Sequence, residues 1–215
     1  MADLIAEIFK DEESVRKINT KLPYLFKLAE LEVSKGGRAG MEVGTLREKV
    51  IISFLMYRFG INSVKEPPVN YPEADVVIEG HDIPISIKTK TGKSYSGVKL
   101  SWTVDWKKVD EFYRKYEPST DMLFVFVNWG AEELFCYIPQ KIQLDVLNTI
   151  GKERYIKKPK QGTNPRGVEI SAEALELCVE KAKEKGYSIN ISWEVPAELL
   201  NYSPYTRWIE LWAKD

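Results

Sequence analysis

The tightest constraint on this chain is the stretch Pro72-Glu73-Ala74-Asp75-Val76-Val77-Ile78-Glu79, a break at Gly80-His81-Asp82, and then Ile83-Pro84-Ile85-Ser86-Ile87-Lys88-Thr89. Two short runs rich in Val and Ile, on either side of a glycine-containing break, predict two antiparallel strands joined by a turn. With the turn centred on His81, Asp75 falls opposite Ile87 and beside Lys88. Side chains alternate along a strand, so Ser86 and Lys88 share a face and Asp75 joins them diagonally. A carboxylate and an ammonium then meet at the open end of an otherwise apolar hairpin. Metal-assisted phosphodiester hydrolysis needs such a pair, the acid to hold a divalent cation and the lysine to orient water or balance developing charge. The same pattern also suits a solvated ion pair. Pro84 counts against a central strand, because proline is confined to edges and strand starts.

Composition narrows the alternatives. A chain of 215 residues is long enough for a sizeable core, and 44% apolar with 29% charged residues describes an ordinary globular protein. No run reaches the ~18 apolar residues of a membrane span. The N-terminus lacks the basic-then-apolar order of a signal peptide, so a cytoplasmic protein with no membrane partner is expected. Cys136 and Cys178, with one histidine in the whole chain, cannot make a zinc site of the usual ligand count, and buried reduced thiols are expected. The net charge of -1 is low for a nucleic-acid partner. Charge is segregated, however: Lys88, Lys90, Lys93 and Lys99 follow the hairpin, and Arg154, Lys157, Lys158, Lys160 and Arg166 gather further on. A phosphate backbone responds to the local field rather than the total.

Along the chain, residues 2–10 and 12–19 read as short helical pieces, and Leu22-Pro23 introduces a stronger helix over about 24–35. The loop Gly36-Gly37-Arg38-Ala39-Gly40 follows, and Met41 after it must either fold back into the core or serve as a wedge at a base step. A second strong helix spans about 46–59, where Thr45 and Glu48 have capping-box spacing. Glu42 and Glu48 bracket its start, close enough to the hairpin to offer a further acid to a metal. Gly92-Lys93-Ser94 is not a phosphate-binding loop, since the second glycine spacing of that motif is absent and no helix follows at once. Strands are expected at 98–104, 122–128 and 133–138, with 122–128 central, and at 187–195; helices at 105–116, 140–150 and 171–185. Residues 151–167 are a basic loop, and the tail with Tyr202, Tyr205, Trp208 and Trp212 docks on the core or forms part of a dimer contact. The sum is an α/β protein with a mixed central sheet flanked by helices.

This succession resembles the PD-(D/E)XK nuclease superfamily over about residues 40–130. Asp75 matches its strand-start aspartate, Lys88 its motif lysine and Glu48 its helix glutamate, while Ser86 stands where the family has Asp or Glu. That departure requires an acid from elsewhere: Glu48, Glu42 and Glu73 are nearest, with Asp105 and Glu111 behind them. The runs Gly40-Met41-Glu42-Val43-Gly44-Thr45-Leu46-Arg47-Glu48, Ile85-Ser86-Ile87-Lys88-Thr89 and Trp102-Thr103-Val104-Asp105 are similar to ThaI-type type II restriction endonucleases. The resemblance implies one nuclease domain over 1–215, with a helical part at 1–40, a catalytic core at 41–130 and a C-terminal extension at 131–215 for DNA or dimer contacts. It implies Mg2+ held by Asp75, Glu48 and the Ile87 carbonyl, with Lys88 and Ser86 completing the catalytic group. It further implies a homodimer on double-stranded DNA, a palindromic target such as CGCG, and DNA contacts from Met41, Arg38, Lys90, Lys93 and Arg166. Two rivals stand beside it: a structure-selective repair or recombination nuclease of the same fold, and a non-catalytic binding module.

Overall fold

The structure is a computed structural model, and it describes residues 3–35, 38–39, 42–68 and 73–213. Met41 lies outside the described residues, and of Arg38 only the backbone is described. In chain order the elements are α1 (Glu12–Glu32), β1 (Ser34–Lys35), β2 (Arg38–Ala39), α2 (Val43–Phe59), β3 (Val64–Lys65), β4 (Val76–Ile78), β5 (His81–Thr91) and β6 (Lys99–Ser101). Then come α3 (Trp106–Lys115), β7 (Asp121–Val127), β8 (Glu132–Ile138), α4 (Gln140–Ile150), α5 (Lys152–Tyr155), β9 (Ile156–Lys157), β10 (Val168–Ile170), α6 (Ala172–Glu184), β11 (Ser188–Ser192) and α7 (Thr206–Trp212).

Six strands form the main sheet in the order β11-β8-β7-β5-β4-β3. The β5–β7 pair is parallel and the other neighbours are antiparallel, so the sheet is mixed, with β5 and β7 at its centre. Every residue of β7 is buried, and its side chains divide by alternation. Leu123, Val125 and Val127 enter a core with Phe26, Ile51 and Leu55 of α1 and α2. Met122, Phe124 and Phe126 enter a second core with Val146 of α4 and Leu175 and Cys178 of α6. Cys136 and Cys178 are both free and buried there, and burial pushes the Cys178 thiol up to about 12.

Several local expectations need correction. The helix broken at Leu22-Pro23 is one continuous α1, with Pro23 inside it. Proline forfeits the bond its N–H would give the Asn19 carbonyl, but Ile18, Leu22, Phe26 and Ala29 are buried on both sides of it and packing carries the helix through. The hairpin turn lies at Glu79-Gly80, not on His81, because Ile78 pairs with His81. An irregularity between Val76 and Ile78 then shifts the register so that Val76 faces Ile85. Pro84 is tolerated since pairing to β7 begins only at Ile85. The expected third strand, β6, joins a separate three-stranded sheet in the order β6-β10-β9, and the basic loop of 151–167 contains α5 and β9. Among the described residues no helix is long and apolar enough to cross a membrane.

Candidate active site

The register decides where the charges go. Ser86 and Lys88 pair with Met122 and Phe124, whose side chains enter the second core, so both project to that side of the sheet. Val76 enters the first core, and its neighbour Asp75 therefore also faces the second side. The Asp75 backbone N–H donates to the Ile85 carbonyl at 2.9 Å, continuing the ladder by one residue. Its carboxylate Oδ2 accepts from the Ile87 N–H at 2.6 Å, the Ser86 hydroxyl at 3.3 Å and the Lys88 Nζ at 3.4 Å. The residues expected to converge do so.

Around this pair opens a hollow of about 670 Å3, lined by Glu48, Glu73, Asp75, Ile87, Lys88, Lys99 and Trp102 among others. Glu48 reaches it from the first turns of α2. The helix starts earlier than its sequence suggests, with Glu42 at the N-cap and no side-chain cap bond, so the Thr45–Glu48 capping box does not form. Glu48 is thereby free to face the site. Burial, reinforced by the Asp75 charge and opposed by Lys88, pushes its carboxyl up to about 7. Glu73 is pushed up to about 7 as well, by burial that Lys88 and a 3.4 Å bond from the Ser119 hydroxyl only partly offset. Its backbone has φ of 60°, a conformation uncommon away from glycine and one that gathers at functional sites. Three carboxylates and Lys88 thus share the hollow.

The other expected acids lie elsewhere. Glu42 is exposed and does not line the hollow. Asp105 caps α3, accepting from the Lys107 N–H at 2.8 Å, and Glu111 is spent on Lys115 at 2.8 Å. Lys90 and Lys93 sit at the end of β5 and in the loop beyond, and Arg166 lines a neighbouring hollow. Sequence reasoning missed what braces Glu48. The preceding residue, Arg47, is buried, donates to the Thr91 hydroxyl at 2.7 Å, and bonds Glu30, which also accepts from the Trp129 indole at 2.8 Å. No spacing in the sequence marks a contact between residues 30, 47, 91 and 129.

The donor chemistry suits a hard cation. Among the described residues no three Asp, Glu, His or Cys side chains converge on one metal position. Mg2+ does not require that: it is commonly held by one or two carboxylates, with waters and substrate phosphate filling the rest. Asp75 Oδ1 accepts no hydrogen bond among the described residues. The N–H and C=O of one strand residue point the same way; since the Ile87 N–H meets Asp75, its carbonyl opens to the same edge. Carboxylate, carbonyl and two nearby glutamates form an all-oxygen set.

Comparison with known proteins gives a family and a solved structure. The family described as "Restriction endonuclease ThaI" matches residues 8–214. A solved structure, "Restriction endonuclease in complex with substrate DNA", is 45% identical with a TM-score of 0.88, covering 99% of this chain and 100% of that one. No curated protein matches.

Proposed function

The chain belongs to the ThaI family of restriction endonucleases, and from that premise we propose that it is a Mg2+-dependent type II enzyme of the PD-(D/E)XK kind, acting as a homodimer on a short palindrome in duplex DNA. What carries this is the hollow in which Asp75, Glu48 and Glu73 confront Lys88. Such a surplus of half-buried negative charge is costly in the protein alone and is relieved by a divalent cation. Asp75 and the Ile87 carbonyl would hold the cation, with Glu48 directly or through water as the acid that replaces a carboxylate at position 86. When bound, the cation supplies Lewis acidity toward the scissile phosphate and lowers the pKa of a water.

The protein's own groups do the rest. Lys88 directs its ammonium at the attacking water and at charge growing on the phosphorane oxygens. Ser86 is buried, and its hydroxyl fixes the Asp75 carboxylate rather than replacing the missing acid. Glu73, facing Lys88 across the hollow, limits how far that ammonium can swing and is a second candidate to accept the water's proton. Met41, Arg38, Lys90, Lys93 and Arg166 are the DNA contacts of this proposal, with Met41 a wedge at the central step and CGCG the target.

A palindrome needs two active sites related by a two-fold axis. The C-terminal helix supports this, since Tyr205, Ile209 and Trp212, spaced for one helix face, are 70%, 64% and 90% exposed. One experiment tests the whole proposal: plasmid DNA incubated with and without Mg2+, beside Lys88→Ala, with the ends sequenced. Discrete Mg2+-dependent fragments with common ends, lost in the variant, are expected. A smear of fragments points to a structure-selective nuclease, and intact plasmid to a binding module.

A further inference from the structure

The overall charge of -1 conceals a local excess. A second hollow, of about 480 Å3, lies over the three-stranded sheet, and Lys99 lines both it and the catalytic hollow, so the two adjoin. Lys157, Lys158, Lys160 and Arg166 line it too. Glu169 binds Lys99 at 2.6 Å and Lys157 at 3.0 Å, holding two ammonium groups side by side. Lys158 pairs with Asp110 at 3.0 Å, while Lys160 and Arg166 form no ion pair among the described residues. Five cations against two carboxylates leave a surplus of three positive charges on one rim.

The frame under these charges is fixed. The Trp106 indole donates to the Thr163 carbonyl at 3.2 Å, and the Thr163 hydroxyl donates to the Lys160 carbonyl at 2.7 Å. Where the loop returns, the Gly167 N–H donates to the Thr103 carbonyl at 2.9 Å. Gly167 has φ of +88°, and a Cβ there would lie 2.1 Å from the Ser101 carbonyl oxygen, so only glycine permits the approach. Cations on a pinned loop bind a repeated anion without first having to order the chain.

We infer that this second hollow is a phosphate track: it holds the sugar-phosphate backbone of duplex DNA flanking the bond in the catalytic hollow, and supplies affinity without reading bases. The inference rests on the nuclease proposal only in placing DNA in the first hollow, and it assigns Arg166 to phosphate rather than to base edges. The test is fluorescence anisotropy without divalent metal, on a duplex carrying the cleaved sequence and on a scrambled one, over a series of salt concentrations. Lys160→Gln combined with Arg166→Gln should weaken binding about tenfold on both duplexes and lower the slope of log K against log salt by about 2. Both residues are exposed, and unchanged thermal melting of the variant would confirm that its fold is intact. Glu169→Gln, which removes a negative charge from the rim, should tighten binding to both duplexes. An unchanged salt slope in the double variant would overturn the inference, as would a loss confined to the cleaved sequence, which would mean base reading. If the unaltered protein binds with the full slope yet leaves plasmid intact with Mg2+, the nuclease proposal fails and the track stands.

Discussion

Strand β5 carries two carboxylate-centred clusters, and they are built on opposite principles. At its start, His81 donates from Nε2 to Asp121 at 2.8 Å, and the same buried carboxylate takes the Tyr137 hydroxyl at 2.7 Å and the Gln140 N–H at 2.6 Å. Further along, Asp75 and Lys88 share a hollow with Glu48 and Glu73, two acids that burial holds near neutrality with too few donors around them. A buried carboxylate given its full set of donors belongs to the architecture, while one left short of them is prepared for something the chain does not itself contain.

The sharpest way to break this comparison is one conservative change at each cluster. Asp75→Asn keeps an oxygen for the Ile87 N–H and removes the charge. It should reduce cleavage about a thousandfold or more while leaving thermal stability within about 1 kcal/mol, the acid being half-buried. Added Mg2+ should raise the melting temperature of the parent protein and not of this variant. A stable Asp75→Asn protein that cuts normally would remove Asp75 from the chemistry. The mirror change, Asp121→Asn, puts an NH2 where His81 or Gln140 requires an acceptor. It should cost about 2–4 kcal/mol of stability by denaturant unfolding, yet leave the folded fraction cutting DNA.

The two clusters also differ in how far the sequence exposed them. Asp75, Ser86 and Lys88 were legible because strand alternation is local and a hairpin restricts the register to a few choices. The turn was misplaced by one to two residues, but the irregularity after Val76 moves Asp75 along β5 to lie level with Ser86 rather than Ile87, on the face it shares with Lys88, so the site survived an error in the hairpin's details. Glu48 was legible only as one of two readings; the capping box does not form, and its side chain lines the hollow instead. By contrast, Asp121 meets His81 across 40 residues and Arg47 meets Glu30 across 17, contacts made by the tertiary fold with no periodicity to announce them. The continuous α1 shows the same limit: a proline reads locally as a break, and burial of Leu22 and Phe26 overrides it.

A smaller effect sharpens the contrast through Glu48. Its folded-state carboxyl titrates at about 7 against an ordinary value of 4.5, so the folded protein holds a proton the unfolded chain releases. The metal-free protein should therefore lose stability as pH rises from 4.5 through about 7, by about 1–2 kcal/mol for this group once solvent screening is allowed for. Glu48→Gln should remove that loss and stabilise the metal-free protein at pH 8, while impairing Mg2+-dependent cleavage. A variant no more stable than its parent at pH 8 would show that Glu48 is not strained by its surroundings.

The smallest effect belongs to His81 and has the same sign in a higher window. Its hydrogen bond to Asp121 raises its pKa, burial opposes this, and the charges of Asp121, Asp3 and Asp82 add to the rise. A histidine whose folded pKa lies above its ordinary 6.5 gives stability that is complete below 6.5 and is lost as pH climbs through the raised value. Melting curves taken stepwise from pH 5 to 9 without metal should therefore show two successive declines. Glu48→Gln shrinks the first, to which Glu73 also contributes, and His81→Gln lowers the melting temperature at acid pH and flattens the second. Neither change should alter the other's window, since the groups titrate against different partners. If His81→Gln instead flattened the lower decline, the clusters would be electrically coupled along β5, and the division between a satisfied end and an unsatisfied one would not hold.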